Sequence, residues 1–373
     1  MKIEVTAAML MNAIGFVAIN ERAVDDVTGF IDQVFIKVSN NKMQLTRYGL
    51  SIQKHSNLIE CESSEDELLF QVQYDTLRDV ITNISKRFEN CSLTLKSKTA
   101  LVIQAGRVKT ELKVTNLNPP EDDPETLDRN LVLDAEELQR IIKVAKIAAA
   151  RQDVRYYLNG ICLCSDEQGT LRAIGTDGHR LSIAKTSYVS TTLQENSIIL
   201  SNDAITYIED ILKLANSGDI GIEFNSASLA IQLPNGASLT TKIIDGKYPD
   251  WRRVVPMKTE NNIMLRREEL LESLRSALPM TPAKFHIGKL SLKDNFCGIK
   301  AKNDIGEYED EVEAAGEDIT TIDIGFNFDY VIAALQVIKS ENVIFGFNDG
   351  KTATTMLDAE NQQGVQVLMP VRI

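Results

Sequence analysis

A short strand running directly into a helix recurs along this chain, and the recurrence limits what it can fold into more than any single residue does. The unit appears as IEVTAAMLMNAIGFVAI from Ile3, LVLDAEELQRIIKVAKIA from Leu131 and IMLRREELLESLRSALP from Ile263, at intervals of about 130 residues. A second set lies midway: LLFQVQYDTLRDVITNIS from Leu68, SIILSNDAITYIEDILKLA from Ser197 and TIDIGFNFDYVIAALQVIK from Thr321. Strand–helix units therefore begin roughly every 60 to 65 residues, six in all. In the Leu131 unit, Asp134 followed by Glu137 has the pattern of a capping box, and Leu138, Ile141, Ile142 and Ala145 recur at i, i+3, i+4 and i+7. That spacing predicts a helix with one apolar face.

After the later helix of each third comes a hairpin-like pair of alternating runs: SLTLKSKTALVIQAGRVKTELKV, IGIEFNSASLAIQLPNGASLTTKI and NVIFGFNDGKTATTMLD. Each third is thus expected to be an antiparallel sheet with two helices on one face, giving an α+β protein of three similar domains. Proline-rich or polar stretches, NPPEDDPETLD at 118–128 and the region near VPMKTENN at 255–262, separate them. The expected domains are 1–125, 129–254 and 258–373, a division that a length of 373 residues can support.

Charge and cysteine usage narrow the functional classes. Asp and Glu number 53 against 40 Lys and Arg, a net charge of -13 that opposes nucleic acid or anionic membrane unless basic residues are gathered locally. The five cysteines, Cys61, Cys91, Cys162, Cys164 and Cys297, contain no CxxC pair, so neither a disulfide framework nor a zinc site is indicated. No charged-then-apolar leader and no apolar run of about 18 residues is present, which points to the cytoplasm.

The stretch IGTDGHRLS (174–182) sets Asp177, Gly178, His179 and Arg180 side by side. A catalytic Asp177–His179 pair would need a nucleophile or metal partner, and the three histidines, His55, His179 and His286, have no ligand spacing. Asp-Gly between two alternating runs is first a turn. LPNGASL (233–239) is another, and CLC (162–164) puts two thiols on one face of a strand, where small buried hydrophobes are the usual outcome. No Walker loop, dinucleotide fingerprint, HExxH or GxSxG occurs, so no catalytic residue, metal or cofactor is expected. Basic residues do gather in equivalent elements: Arg140, Lys143 and Lys146 opposite an apolar face, and Lys86, Arg87, Arg266, Arg267 and Lys339 in or beside other repeat helices. Each could be a solvated face; together they could meet phosphates.

Several motifs in order carry a more specific signal: QDVRYYLNG (152–160), TDGHRL (176–181), DGKYPDWRRVVP (245–256), IGFNFDY (324–330) and the terminal LMPVRI. With the threefold repeat, they make the chain resemble the bacterial sliding clamp, the beta subunit of DNA polymerase III. The resemblance implies the DNA clamp fold and a head-to-tail homodimer closing into a ring around duplex DNA. It implies no chemistry: the ring tethers the polymerase, and sequence-independent phosphate contacts permit sliding. Ring geometry agrees. Six helices about 10 Å thick leave a hole of about 9 Å, and twelve leave about 28 Å; only the latter admits a duplex roughly 20 Å wide.

The resemblance further implies a pocket between the second and third domains. There the polymerase catalytic subunit, the clamp loader, other polymerases and repair proteins dock short hydrophobic peptides. Matching positions are Leu158, Thr176, Gly178, His179, Arg180, Leu181, Pro249, Arg253 and Val254, with Asn327, Tyr330, Val367, Leu368, Met369, Pro370, Val371 and Arg372; Arg155 is expected beside them. Arg22 and Gln152 resemble DNA contacts, joined by Arg140, Lys143 and Lys146 from the helix pattern. The dimer interface is expected to bring the edge strand at 107–114, with Thr110 and Leu112, to Pro279 and Met280. In the first domain VTGFIDQVFIKV and TRYGLS depart from the family pattern. The alternatives are a clamp-like interaction hub without stable ring closure, and an enzyme using Asp177 and His179.

Overall fold

The structure is a computed structural model that describes residues 2–372 apart from 26, 116, 118–119, 121–125, 167, 189, 194–196, 216, 317–318 and 320. Most of the expected 118–128 linker lies outside the described residues, as does Ile373 at the end of the tail motif.

All six expected helices form, each directly after a strand: α1 (Ala7–Phe16), α2 (Tyr74–Ser85), α3 (Ala135–Ala145), α4 (Asn202–Leu212), α5 (Arg267–Ala277) and α6 (Phe328–Val337). In α3 the predicted apolar stripe is wholly buried, with Leu138, Ile141, Ile142 and Ala145 at 0 % exposure. Side-chain oxygens of Gln73 and Asn327 start α2 and α6 by accepting the amides of Thr76 and Tyr330, groups the first helical turn would leave unpaired.

Where hairpin-like pairs are expected, the chain lays down three strands. After α2 these are Asn90–Ser97, Ala100–Ala105 and Val108–Thr115; after α4, Asp219–Phe224, Ser228–Gln232 and Ser238–Lys242; after α6, Asn342–Phe347, Thr354–Asp358 and Gly364–Leu368. Tight turns divide runs whose alternation continues through them, so periodicity alone undercounts the strands. Three strands also follow the earlier helix of each third, so strand, helix and three strands recur six times, with short extra strands at 59–63 and 190–191.

The strands form two antiparallel sheets, each belonging to one compact unit. The first unit comprises Met1–Ala135, Val189–Thr192 and Asp203–Ile243. Its fifteen-stranded sheet holds every strand of the first third together with Arg129–Asp134, Ser190–Thr191 and the Asp219–Lys242 meander. The two thirds join where Ser238–Thr241 pairs with His55–Ile52. The second unit comprises Glu136–Tyr188, Leu193–Asn202 and Ile244–Ile373. Its twelve strands are Gly160–Ser165, Thr170–Thr176, Arg180–Ser187 and Ser197–Ser201 of the middle third with all those of the last. Here the join is Arg180–Ala184 against Leu368–Gly364. Pairing therefore runs across the thirds that the repeat suggests, because a strand edge exposes backbone groups that any neighbouring strand can satisfy.

Candidate functional site

The TDGHRL stretch is a tight hairpin turn between Thr170–Thr176 and Arg180–Ser187. Gly178 sits at φ 90, which a side chain would strain, and a Cβ there would lie 3.1 Å from the Arg155 guanidinium. Asp177 does not form a dyad with the His179 ring. Its Oδ1 accepts the backbone amides of His179 and Arg180 at 2.9 and 3.1 Å, and its Oδ2 accepts Arg180 Nε at 3.0 Å. The carboxylate thus organises the turn.

Two arginines are fixed here by acids close in sequence. Arg180 holds Asp177 and stacks its guanidinium 4.1 Å from the centre of the Tyr330 ring. Arg155 binds Asp153 through Nε and Nη2 at 3.0 and 2.7 Å, and Nη2 also reaches the Asp177 carbonyl at 3.0 Å. Hydrogen bonds from Arg155 push the Asp153 carboxyl down to about 2, with the attraction of the guanidinium assisting. Burial, followed by the nearby Asp177 charge, raises the Tyr330 hydroxyl, which stays neutral at physiological pH. Asp153 and Asp177 were not expected as supports; Asp-x-Arg and Asp-x-x-Arg spacings were the available signal.

The C-terminal tail lies against this turn. Its ladder pairs Arg180 with Leu368 and Leu181 with Val367, then continues as Met369 N donates to the His179 carbonyl and Val371 N to the Gly325 carbonyl, at 3.0 and 2.8 Å. Leu158, Leu181 and Val367 are 2–3 % exposed and pack in one cluster with Ile174, Ile183 and Tyr248, an apolar floor. Above it, Met369 and Val254 are 41 % and 50 % exposed. Thr176 closes the turn, accepting the Gly178 amide and donating to the Arg180 carbonyl.

Asn327 serves as the cap of α6, Pro249 and Arg372 are exposed, Pro370 is half-buried, and Arg253 reaches solvent beside Asp250. Leu368 does not join this surface. Alternation along the strand turns it into the core of the last third with Phe328 and Val331.

The other expected residues divide by what already holds them. Lys143, Lys146 and Gln152 are exposed, Gln152 at φ 56. Arg22 is exposed but paired with Asp75. Arg140 departs from the basic face expected of α3: only 20 % of its side chain is exposed, and it binds the Glu137 carboxylate and the Lys185 carbonyl. Thr110 is half-buried and Leu112 only 7 % exposed, already packed in its own chain, while Pro279 and Met280 lie in the turn after α5. Among the described residues no helix is long and apolar enough to cross a membrane, and no group of three His, Cys, Asp or Glu could hold a metal ion.

Models of the DNA polymerase III beta subunit match the chain twice, the central domain over residues 132–250 and the C-terminal domain over 252–372. The beta sliding clamp of Pseudomonas aeruginosa is 30% identical over 277 residues, covering 73% of this chain and 74% of that protein. The Haemophilus influenzae clamp is 26% identical over 347 residues, 92% of each. A crystal structure of the P. aeruginosa clamp bound to griselimycin matches with a TM-score of 0.89 at 25% identity, over 100% of both chains. Fold and sequence together define a sliding clamp. The chain belongs to the bacterial beta sliding clamp family, that of the DNA polymerase III beta subunit.

Proposed function

We propose that two copies of this chain close head to tail around duplex DNA as a ring of six domains, 1–125, 129–254 and 258–373 from each. The ring tethers a replicative polymerase in the cytoplasm and performs no catalytic step. Two unfilled strand edges support closure. Residues 108–113 pair with Ala100–Ala105 on one side, whereas on the other, among the described residues, only Val114 and Thr115 meet a strand. Residues 307–313 likewise pair with Phe296–Lys302, and among the described residues only 314–316 have a strand on the second side. The first edge carries Arg107, Lys109 and Lys113 around Glu111; the second carries Glu307, Glu309, Asp310, Glu311 and Glu313. Opposite charge favours their pairing between copies, which brings Thr110 and Leu112 towards Pro279 and Met280. Arg22, Lys143, Lys146 and Gln152 then supply loose contacts to phosphate, with Arg140 a poor contributor because it is already bound.

The docking reading rests on one observation: the ladder from the Arg180 strand to the Gly364–Leu368 strand, which sets turn and tail over an apolar floor. We infer that this groove takes a short extended peptide with a leucine or phenylalanine anchor, presented by the polymerase, the clamp loader or repair proteins. Loading the protein on circular and linearised DNA while following a labelled peptide tests both parts. Retention on closed circles with loss on linear DNA is expected, and Arg180→Ala should weaken the peptide at least about tenfold. Equal loss from both DNAs overturns encirclement; a monomer that still binds the peptide would be a clamp-like hub.

A further inference from the structure

Cys162 is buried in the apolar cluster beneath the groove and Cys164 packs against that cluster, yet neither thiol has a part in the docking or DNA readings. They sit two apart on the strand Gly160–Ser165 and face the same side, with Cys164 flanked by Arg172 and Ser197 on the neighbouring strands. Four of the five cysteines are buried, and only Cys164 is half-exposed. Both thiols line a cavity of about 1030 Å³, at the large end of small-molecule sites. Its wall carries Lys247, Arg252 and Arg253 against Asp166 and Asp250. Asp166 is engaged by Arg172 at 2.6 Å, and Asp250 lies between Arg253 and Arg252 at 3.3 and 3.8 Å, so the wall keeps an excess of positive charge through Lys247 and the shared arginines. An acceptor-rich, negatively charged ligand fits this lining.

We propose that Cys164 is a thiol-exchange site for small anionic disulfides. The thiol loses its proton to solvent and the thiolate attacks one sulfur of the disulfide. The S–S bond breaks, one half leaves as a thiolate with the bonding electrons, and the other remains in the cavity as a mixed disulfide. The neighbourhood prepares the attack: the adjoining Cys162 thiol and the positive charge of Arg172 and Arg252 together outweigh burial and the Asp166 charge and bring the Cys164 thiol below its ordinary value. Cys162 is poorly placed to expel the adduct. Two residues of extended strand separate Cα atoms by about 6.6 Å, the far limit of what a disulfide spans.

The segment 247–253 forms the cavity wall, and the docking reading assigns its Pro249 and Arg253 to the groove as well. An adduct beside Trp251 should therefore weaken peptide docking, a consequence that rests on the docking reading.

The test uses 5,5′-dithiobis(2-nitrobenzoate), an anionic disulfide that releases a coloured thiolate, on the folded full chain at pH 7. Trp251 is the sole tryptophan and lines the cavity, so its fluorescence gives a second readout. One equivalent should be released at least about tenfold faster than the rest, whose cysteines react only when the fold opens. Trp251 emission should fall at the same rate. Cys164→Ser should abolish both signals, and Cys162→Ala should slow them severalfold, with circular dichroism confirming that each variant is folded. A fast phase that survives in Cys164→Ser, or no thiol reacting before denaturation, overturns the site. In the peptide arm, modified protein should bind at least about tenfold more weakly and treated Cys164→Ser should be unaffected. Equal binding by modified and unmodified protein overturns the coupling alone; absence of binding by the unmodified protein overturns the docking reading instead.

Discussion

Lys54 lies on the strand Ile52–His55 with none of its side chain exposed, between the rings of Phe16 and Tyr207. Asp210 Oδ2 is 3.4 Å from the ammonium, and the Ala18 carbonyl accepts at 3.2 Å. Burial lowers its pKa from 10.5, with Asp210 opposing the shift. The unfolded chain therefore keeps this proton to higher pH than the folded one does, and Lys54 makes stability rise with pH on the approach to 10.5. Urea unfolding of wild type and Lys54→Met across that range should show the rise only in the wild type. At neutral pH, Asp210→Asn should cost on the order of 2 kcal/mol because it strands a buried cation, discounted for the partial exposure of Asp210. Lys54→Met removes the charge itself and should cost under about 1 kcal/mol. The alternation around Ile52 shows that Lys54 points inward, yet its counter-charge lies 156 residues away, beyond any local pattern.

At the scale of elements, the turn from Thr176 to Arg180 was legible because Asp-Gly has a local conformational meaning. Its use was not, since the tail that completes the groove comes from the far end of the chain. Gly178 joins the two levels: it permits the positive φ and leaves room for Arg155 to brace the Asp177 carbonyl. Gly178→Ala should destabilise by about 1–2 kcal/mol in denaturant titration, from left-handed strain alone. It should also weaken the labelled peptide, because the new Cβ crowds the Arg155 guanidinium. The apolar face of α3 was readable by period, whereas the engagement of Arg140 was not. Its carbonyl partner, Lys185, is contributed by the strand Arg180–Ser187.

For the whole molecule, the basic edge at 107–113 and the acidic edge at 307–313 make closure of the proposed ring an ionic-strength problem. Leu112 is already buried in its own chain, so apolar contact from that strand is limited and charge should carry more of the association. Sedimentation should show a dimer whose dissociation constant rises at least about tenfold between 0.05 and 0.5 M salt. Lys109→Glu with Lys113→Glu should yield monomers, and adding Glu309→Lys with Glu311→Lys to the same chain should restore the dimer. A dimer indifferent to salt and to charge reversal would show that apolar packing closes the ring.

The six strand–helix units, the apolar stripe of α3 and the Asp-Gly turn were determined by the sequence itself, because each depends on residues a few positions apart. Only the tertiary structure divided the middle third between two sheets, aligned the tail with Arg180–Ala184, buried Lys54 beside Asp210 and opened a cavity at Cys164. Strand edges all offer the same backbone donors and acceptors, so which edges meet is settled by the packing of the whole chain, and with it which side chains are buried, paired or left facing a cavity.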